Sequence, residues 1–301
     1  MSANMKRRDF ITLLGGAAAW PTAARAQQPA MRVIGFLDSQ SRTFAEIVLP
    51  AFRQGLNDNG YVEGENIAIE YRWAENQVDR LPALAVDLVR RGVAVIVAGA
   101  PPATLAAKAA TTTIPIVFGV GDDPVKIGLV ASLARPGGNL TGINFFSSEL
   151  AAKRMQLLRE MVPAAARVAV LGDPTFTLTE SQVTEAKTAG RAMGLQIQVL
   201  NAGTSDEINA AFANFVRERP DALYVGTGPF FVSRRVQLAH LATRHAVPAI
   251  YSGRQYTEAG GLMSYGTSLR DAYRQMAPIP AASSRAQNPR TCQSYSPRSS
   301  S

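Results

Sequence analysis

Cysteine is almost absent from this chain: its 301 residues hold one, Cys292, and the body before it has none. That excludes a disulfide framework, a CxxC site and a cysteine nucleophile in the body. It also suits an oxidising compartment. Histidine is nearly as scarce. His240 and His245 stand five apart on a helical stretch, whereas paired metal ligands on a helix stand four apart, so this pair reads as packing or solvated. Nothing approaches eighteen consecutive apolar residues, which excludes a membrane-spanning helix. There is no GxxxxGKS or GxxxxGKT phosphate loop and no GxSxG nucleophile elbow. Gly226-Thr227-Gly228 lacks the third glycine of a dinucleotide fingerprint. No catalytic set, metal site or cofactor is therefore expected. The net charge of +8 sits mainly at the ends: the first and last 26 residues carry +3 each, leaving +2 for the body. A basic nucleic-acid-binding face is unsupported. What is present is an ordinary globular composition, 47% hydrophobic and 18% charged.

The N-terminus reads as an address. Lys6-Arg7-Arg8-Asp9-Phe10-Ile11 precedes a short apolar run to Trp20, and Ala24-Arg25-Ala26 is a small-x-small cleavage pattern. A charged start, short apolar core and such a site specify a secretory signal. The paired arginines resemble a twin-arginine signal, which exports folded proteins. Residues 1–26 are expected to be removed near Ala26, leaving a soluble periplasmic protein. No cysteine marks the cleavage site for a lipid anchor.

The body alternates strand and helix. Arg32–Asp38, Asn66–Trp73, Val93–Ala98, Ile114–Val120 and Asn139–Phe145 read as strands. Phe44–Asn59, Val78–Arg91 and a stretch opened by Pro101 and Pro102 read as helices between them. Asp123-Pro124 has the chemistry of a helix cap and first turn. The pattern restarts after a helix over 148–161. Strands follow at Arg167–Gly172, Leu195–Leu200, Ala222–Val225, Ala249–Tyr251 and Leu262–Tyr265. The intervening helices are Thr179–Met193, Asp206–Glu218 capped by Ser205, and Ser233–His245. Leu269–Gln275 begins another helix. This order predicts an α/β fold of two doubly wound parallel-sheet lobes with a hinge, 27–146 and 147–275.

Four segments carry a family resemblance: RVIGFLDSQS, AFRQGLNDNGYVEGENIAIEYRWAE, GAPPATLAAKAATTTIPIVFGVGDDPVKIGLVASLARPGGNLTGI and AGGLMSYGTSLRDAYRQ. They resemble the ABC transporter substrate-binding proteins of the tryptophan and tyrosine type, over about Arg32 to Gln275. The resemblance implies a type I periplasmic-binding fold with three crossings between lobes. It also implies a small-molecule ligand that is bound without chemical change, possible partners in importer permease subunits, and membrane contact only through them. A sensor-type binding protein feeding a signalling receptor is the alternative, and a periplasmic α/β enzyme a weaker one.

Parallel sheets bind ligands beyond the carboxyl ends of their strands. The expected binding residues are therefore Ser39, Gln40, Ala100, Thr104, Asp122, Asp173, Thr175, Thr227, Tyr251 and Ser252. For an amino-acid ligand, helix N-termini would meet the carboxylate. Asp122 or Asp173 would meet the ammonium, and Tyr251, or Phe230 with Phe231, would wall the side chain. Asp123 reads as a cap instead.

From Met276 the pattern collapses. Residues 276–301 are rich in Ser, Pro, Arg and Ala without apolar periodicity, which reads as disordered. A permissible coding sequence for Met276 onward, read two bases later, spells a helix and linker resembling the family's continuation. The tail is therefore expected to be frameshifted, with the segment that returns the chain to the first lobe lost. Sequencing the gene checks this: codons that forbid the alternative frame overturn it.

Overall fold

The computed structural model describes residues 31–121, 123–134, 136–145, 150–176, 179–277 and 293–294. The signal-like N-terminus, Asp122, residues 146–149 and most of the expected disordered tail lie outside them.

The first lobe opens with β1 (Arg32–Asp38), whose last five residues are buried. Helix α1 (Arg42–Asn57) follows, its Phe44, Val48, Phe52 and Leu56 facing the core at helical spacing. Then come β2 (Ile67–Trp73), a 3₁₀ turn at Val78–Arg80, α2 (Leu81–Arg90), β3 (Val95–Gly99), α3 (Ala100–Ala110), β4 (Ile116–Val120) and β5 (Leu140–Asn144). β3, β4 and β5 are buried throughout, as strands covered on both faces must be.

The second lobe holds α4 (Ala151–Met161), β6 (Arg167–Gly172), α5 (Thr179–Ala192), β7 (Gln196–Asn201), α6 (Ser205–Glu218), β8 (Ala222–Val225), α7 (Pro229–Ser233), α8 (Arg235–Arg244), β9 (Ala249–Tyr251), α9 (Arg254–Thr257) and β10 (Met263–Ser264). Helix α10 (Leu269–Met276) and β11 (Gln293–Ser294) complete the described chain.

Both sheets are parallel and share one topology. The first runs β2-β1-β3-β4-β5 and the second β7-β6-β8-β9-β10, with β11 added beside β5. The chain order thus reverses between β1 and β3 and again between β6 and β8, which opens a crevice at the carboxyl end of each sheet.

Several local expectations change. Asp123 does cap, its Oδ1 accepting the Val125 and Lys126 N–H groups, but only turns follow and no helix forms. Gly128, at φ +71°, breaks the path. The cap of α6 is Thr204, one residue earlier than expected; it shares a reciprocal capping box with Glu207. The expected helix at 233–245 is α8, Arg235–Arg244, and a short helix not expected from the sequence, α7, precedes it at Pro229–Ser233.

The largest correction concerns the return to the first lobe. α10 already makes it: the helix packs on α1 and on β4 and β5. Its Leu269, Ala272, Tyr273 and Met276 form one apolar face, the last three buried. By packing it belongs with the first lobe rather than the second. The chain leaves the first lobe after Phe145 and returns to it over 265–269. Composition also missed β11, where two tail residues pair with Ile143 and Asn144.

The α10 contact depends on Gly55. A Cβ there would overlap the Arg274 carbonyl oxygen and stand 2.7 Å from the Ala277 Cβ. Helix propensity alone favours Gly55→Ala by about 1 kcal/mol. Overlap at a packed face works against it by about 1–3 kcal/mol. The expected result is a net loss of stability in urea unfolding; a gain would show that α10 is not docked as described.

Candidate functional site

One cavity, with about 810 Å³ of unfilled space partly open to solvent, lies between the two strand-end crevices. The first lobe contributes Asp38 and Gln40 beyond β1, Ala100 and Pro101 beyond β3, and Gly119 and Gly121 at β4. The second contributes Phe176 beyond β6, Thr227, Gly228 and Pro229 beyond β8, and Ser252 beyond β9. Phe145, Leu150, Gly266 and Thr267 line it from the crossings, Arg154 from α4 and Tyr273 from α10.

The two crossings are tied together. The Thr267 hydroxyl donates to the Phe145 carbonyl at 2.8 Å, a buried bond between segments far apart in sequence. Gly266 lies against the backbone of Ser252 so closely that a Cβ would overlap its carbonyl oxygen. A small residue at this point lets the return strand pass β9.

The lobes present similar turns. At the end of β1, Asp38 Oδ1 accepts the Gln40 N–H at 2.9 Å. Beyond β6, Asp173 Oδ1 accepts the Thr175 N–H at 2.9 Å and the Thr175 hydroxyl at 2.6 Å. Each is a side chain closing a turn on the backbone two residues on. Asp38 fits because its register partner is Gly99; a Cβ on Gly99 would overlap the carboxylate. Its Oδ2 takes the Tyr273 hydroxyl at 3.3 Å. Burial pushes the Asp38 carboxyl up to about 6 against the pull of the Gln40, Tyr273 and Ser39 hydrogen bonds. Burial likewise raises Asp173, with its Thr175 bonds opposing, and raises Tyr273, aided by the Asp38 charge.

Arg154 is buried, and its guanidinium donates to the Thr227 hydroxyl at 3.0 Å. It lies over the Tyr224 ring, 5.2 Å from the centroid. Gln182 Oε1 accepts the Thr227 N–H at 2.8 Å and so fixes that loop.

Of the residues expected from sequence, Gln40, Ala100, Thr227 and Ser252 line the cavity. Ser39, Asp173 and Thr175 line an adjoining space that shares Gln40, Ala100 and Pro101 with it. Asp122 lies outside the described residues. Thr104 is buried and its hydroxyl bonds the Ala100 carbonyl within α3, so it faces no cleft. Tyr251 is a core residue stacked 4.8 Å from Tyr256, and Phe231 is likewise buried in the core. The expected helix-end donors are few: α3 begins Ala-Pro-Pro and α7 begins with Pro229, and proline has no N–H. His245 lies 5.8 Å from the Phe212 ring, a packing position. Among the described residues no cluster of potential metal ligands occurs, and no helix is long and apolar enough to cross a membrane.

Sequence reasoning missed Asp38, Arg154 and Tyr273. A signal for two of them was present. Arg154 stands with Ala151, Met155 and Leu158 at i, i+3, i+4, i+7 spacing, a charge on an apolar stripe. Tyr273 stands on the apolar face of α10.

Two parallel-sheet lobes, joined by paired crossings around one cleft, define the class: a type I periplasmic-binding architecture. A crystal structure of a conserved domain protein from Vibrio cholerae superposes with a TM-score of 0.75 at 25% identity, covering 88% of this chain and 90% of that one. A Streptococcus pneumoniae domain described as an ABC domain in complex with L-Trp superposes at 0.74 and 21% identity, covering 88% and 89%, which bears on the fold alone. Residues 33–279 match the ABC transporter substrate binding protein family, and the chain belongs to it. It is 30% identical over 215 residues to a tyrosine-binding protein of Clostridioides difficile, an alignment covering 71% of this chain. The chain spans 61% of the length of that relative.

The Asp38 environment has a consequence for stability. An unfolded Asp titrates near 3.9, and folding raises Asp38 to about 6. The native state therefore holds the extra proton between those values, and stability falls as pH rises through that window. The full penalty at neutral pH is roughly 3 kcal/mol. Asp38→Asn escapes it. Urea unfolding should show the variant gaining on the wild type by about that amount between roughly pH 4 and pH 7. A difference that is flat with pH would contradict the burial of this carboxyl.

Proposed function

We propose that this chain is the exported solute-capturing subunit of an ABC importer. The lobes close over a small ligand, an amino acid or related metabolite, and present it unaltered to the permease. The observation that carries this reading is the cavity lined by strand ends from both sheets and by both crossings, where parallel α/β sheets hold ligands. Family membership supports the importer role. The tyrosine-binding relative supports an amino acid as ligand. The signal-like N-terminus supports export, with cleavage near Ala26 and action in the periplasm. In this reading Gln40, Ala100, Thr227 and Ser252 contact the ligand, with Ser39, Asp173 and Thr175 at the rim. Opening and closing turn on the segments joined by the Thr267–Phe145 bond.

A thermal-shift screen of amino acids and small metabolites tests the reading, because a ligand specific to the native state raises its melting temperature. At least one compound should stabilise the protein, and it should reduce the radius of gyration in solution scattering. A Cβ at Gly228 meets nothing nearer than 3.5 Å, so Gly228→Leu should fold and fill the cleft. Binding of the same compound should be lost in that variant. Binding that survives Gly228→Leu unchanged places the ligand elsewhere and overturns the reading.

A further inference from the structure

Asp38 is a fully buried carboxyl facing a mostly apolar cavity, whose wall includes Phe44, Pro101, Phe145 and Leu269. None of the ion pairs among the described residues includes it. Its protein partners are all donors: the Gln40 and Ser39 N–H groups and the Tyr273 hydroxyl. They orient the carboxyl as an acceptor without supplying a counter-charge. Such a group is costly to ionise until a cation arrives.

We propose that Asp38 receives the protonated amine of the ligand, so that capture fixes the carboxyl in its ionised form. The inference rests on the cleft being the ligand site, and it names the group there that selects for an amine. The proton balance is simple. The neutral carboxyl loses its proton to solvent, the resulting carboxylate accepts hydrogen bonds from the ligand's ammonium, and the ligand keeps its own proton. The carboxyl's rise to about 6 by burial agrees with this, since a nearby cation restores the charged form.

The other titratable or charged groups around Asp38 do not supply that cation. Tyr273 faces it from α10 as a neutral hydroxyl. Gly99, Ala100 and Pro101 beyond β3, and Gly119 on β4, bear no charge. Arg154 shares the cavity but is engaged on the second lobe with Thr227 and Tyr224, and no charged group contributes to the shift at Asp38. Asp173 lines the adjoining space beside Gln40 and has its own partners in Thr175.

The test is calorimetry on the full chain with the common L-amino acids and their 2-hydroxy counterparts, in which a hydroxyl replaces the amine. Binders should come from the amine set alone. With a free carboxyl near 6, affinity should fall about tenfold between roughly pH 7.5 and pH 5, and binding at the lower pH should release close to one proton per ligand. Asp38→Asn, which keeps an acceptor for the Gln40 N–H, should weaken binding by at least about thirtyfold and abolish the proton release. Glu46→Gln, which removes an exposed carboxyl of α1, should retain both.

A 2-hydroxy acid that binds as tightly as its amino acid overturns the inference. So does an amino acid whose affinity Asp38→Asn leaves unchanged, or proton uptake in place of release. If only non-amine compounds bind, the cleft reading stands and the role of Asp38 falls. If neither half of the panel binds, the amine selection falls too, while the Gly228→Leu comparison with other metabolites still decides the cleft.

Discussion

Three separate segments meet at the Asp38 carboxyl: the end of β1, the glycine that ends β3, and the helix that returns from the second lobe. Gly99 gives the carboxyl its space, and Tyr273 reaches it from α10. α10 in turn can approach because Gly55 leaves a notch on α1 and Gly119 one on β4, where a Cβ would meet the Met276 sulfur at 2.7 Å. Phe36 and Phe44 flank Tyr273 with ring centroids 6.3 and 6.4 Å away. The return crossing, the first-lobe core and one wall of the cleft are therefore one packing unit. A change in any of the glycines moves the tyrosine, and with it the environment of the acid.

That unit also sets the hinge. Because α10 is anchored on the first lobe, the chain between β10 and α10 must pass the segment leaving β5. The Thr267 hydroxyl bonds the Phe145 carbonyl at this passage. An unpaired buried carbonyl would cost about 1–3 kcal/mol, so the bond favours keeping the two crossings side by side.

Much of this architecture is legible in the chain. The strands Arg167–Gly172, Ala222–Val225 and Ala249–Tyr251 fall where the apolar runs place them, because a buried parallel strand is an uninterrupted apolar run with polar ends. The cleft is legible as a region for the same reason: strand ends mark it. Individual side chains are less so. Tyr251 ends β9 but alternates with Ile250, so its ring enters the core face of the sheet rather than the crevice. Asp123-Pro124 carries the chemistry of a helix start, and the Ile127 N–H reaches the Asp123 carbonyl, but Gly128 at positive φ ends the path after that one turn. Arg154 and Tyr273 reach the cleft from helices, and nothing local says which cleft an apolar helical stripe will face. The return of α10 was hidden because its eight residues adjoin a tail of contrary composition.

The last element is an asymmetry between two equivalent turns. The second lobe completes its aspartate turn internally: Thr175 supplies both a backbone and a hydroxyl donor to Asp173. In the first lobe the matching residue is Gln40, whose side-chain amide turns to the Ser39 hydroxyl at 3.0 Å and leaves Asp38. Among the described residues, the side-chain donor left for Asp38 is the Tyr273 hydroxyl, at 3.3 Å. One lobe thus brings an under-compensated acid to the cavity, and the other brings the Arg154 guanidinium, held above Tyr224 and against Thr227. Charges of opposite sign on opposite walls define a direction across the cleft.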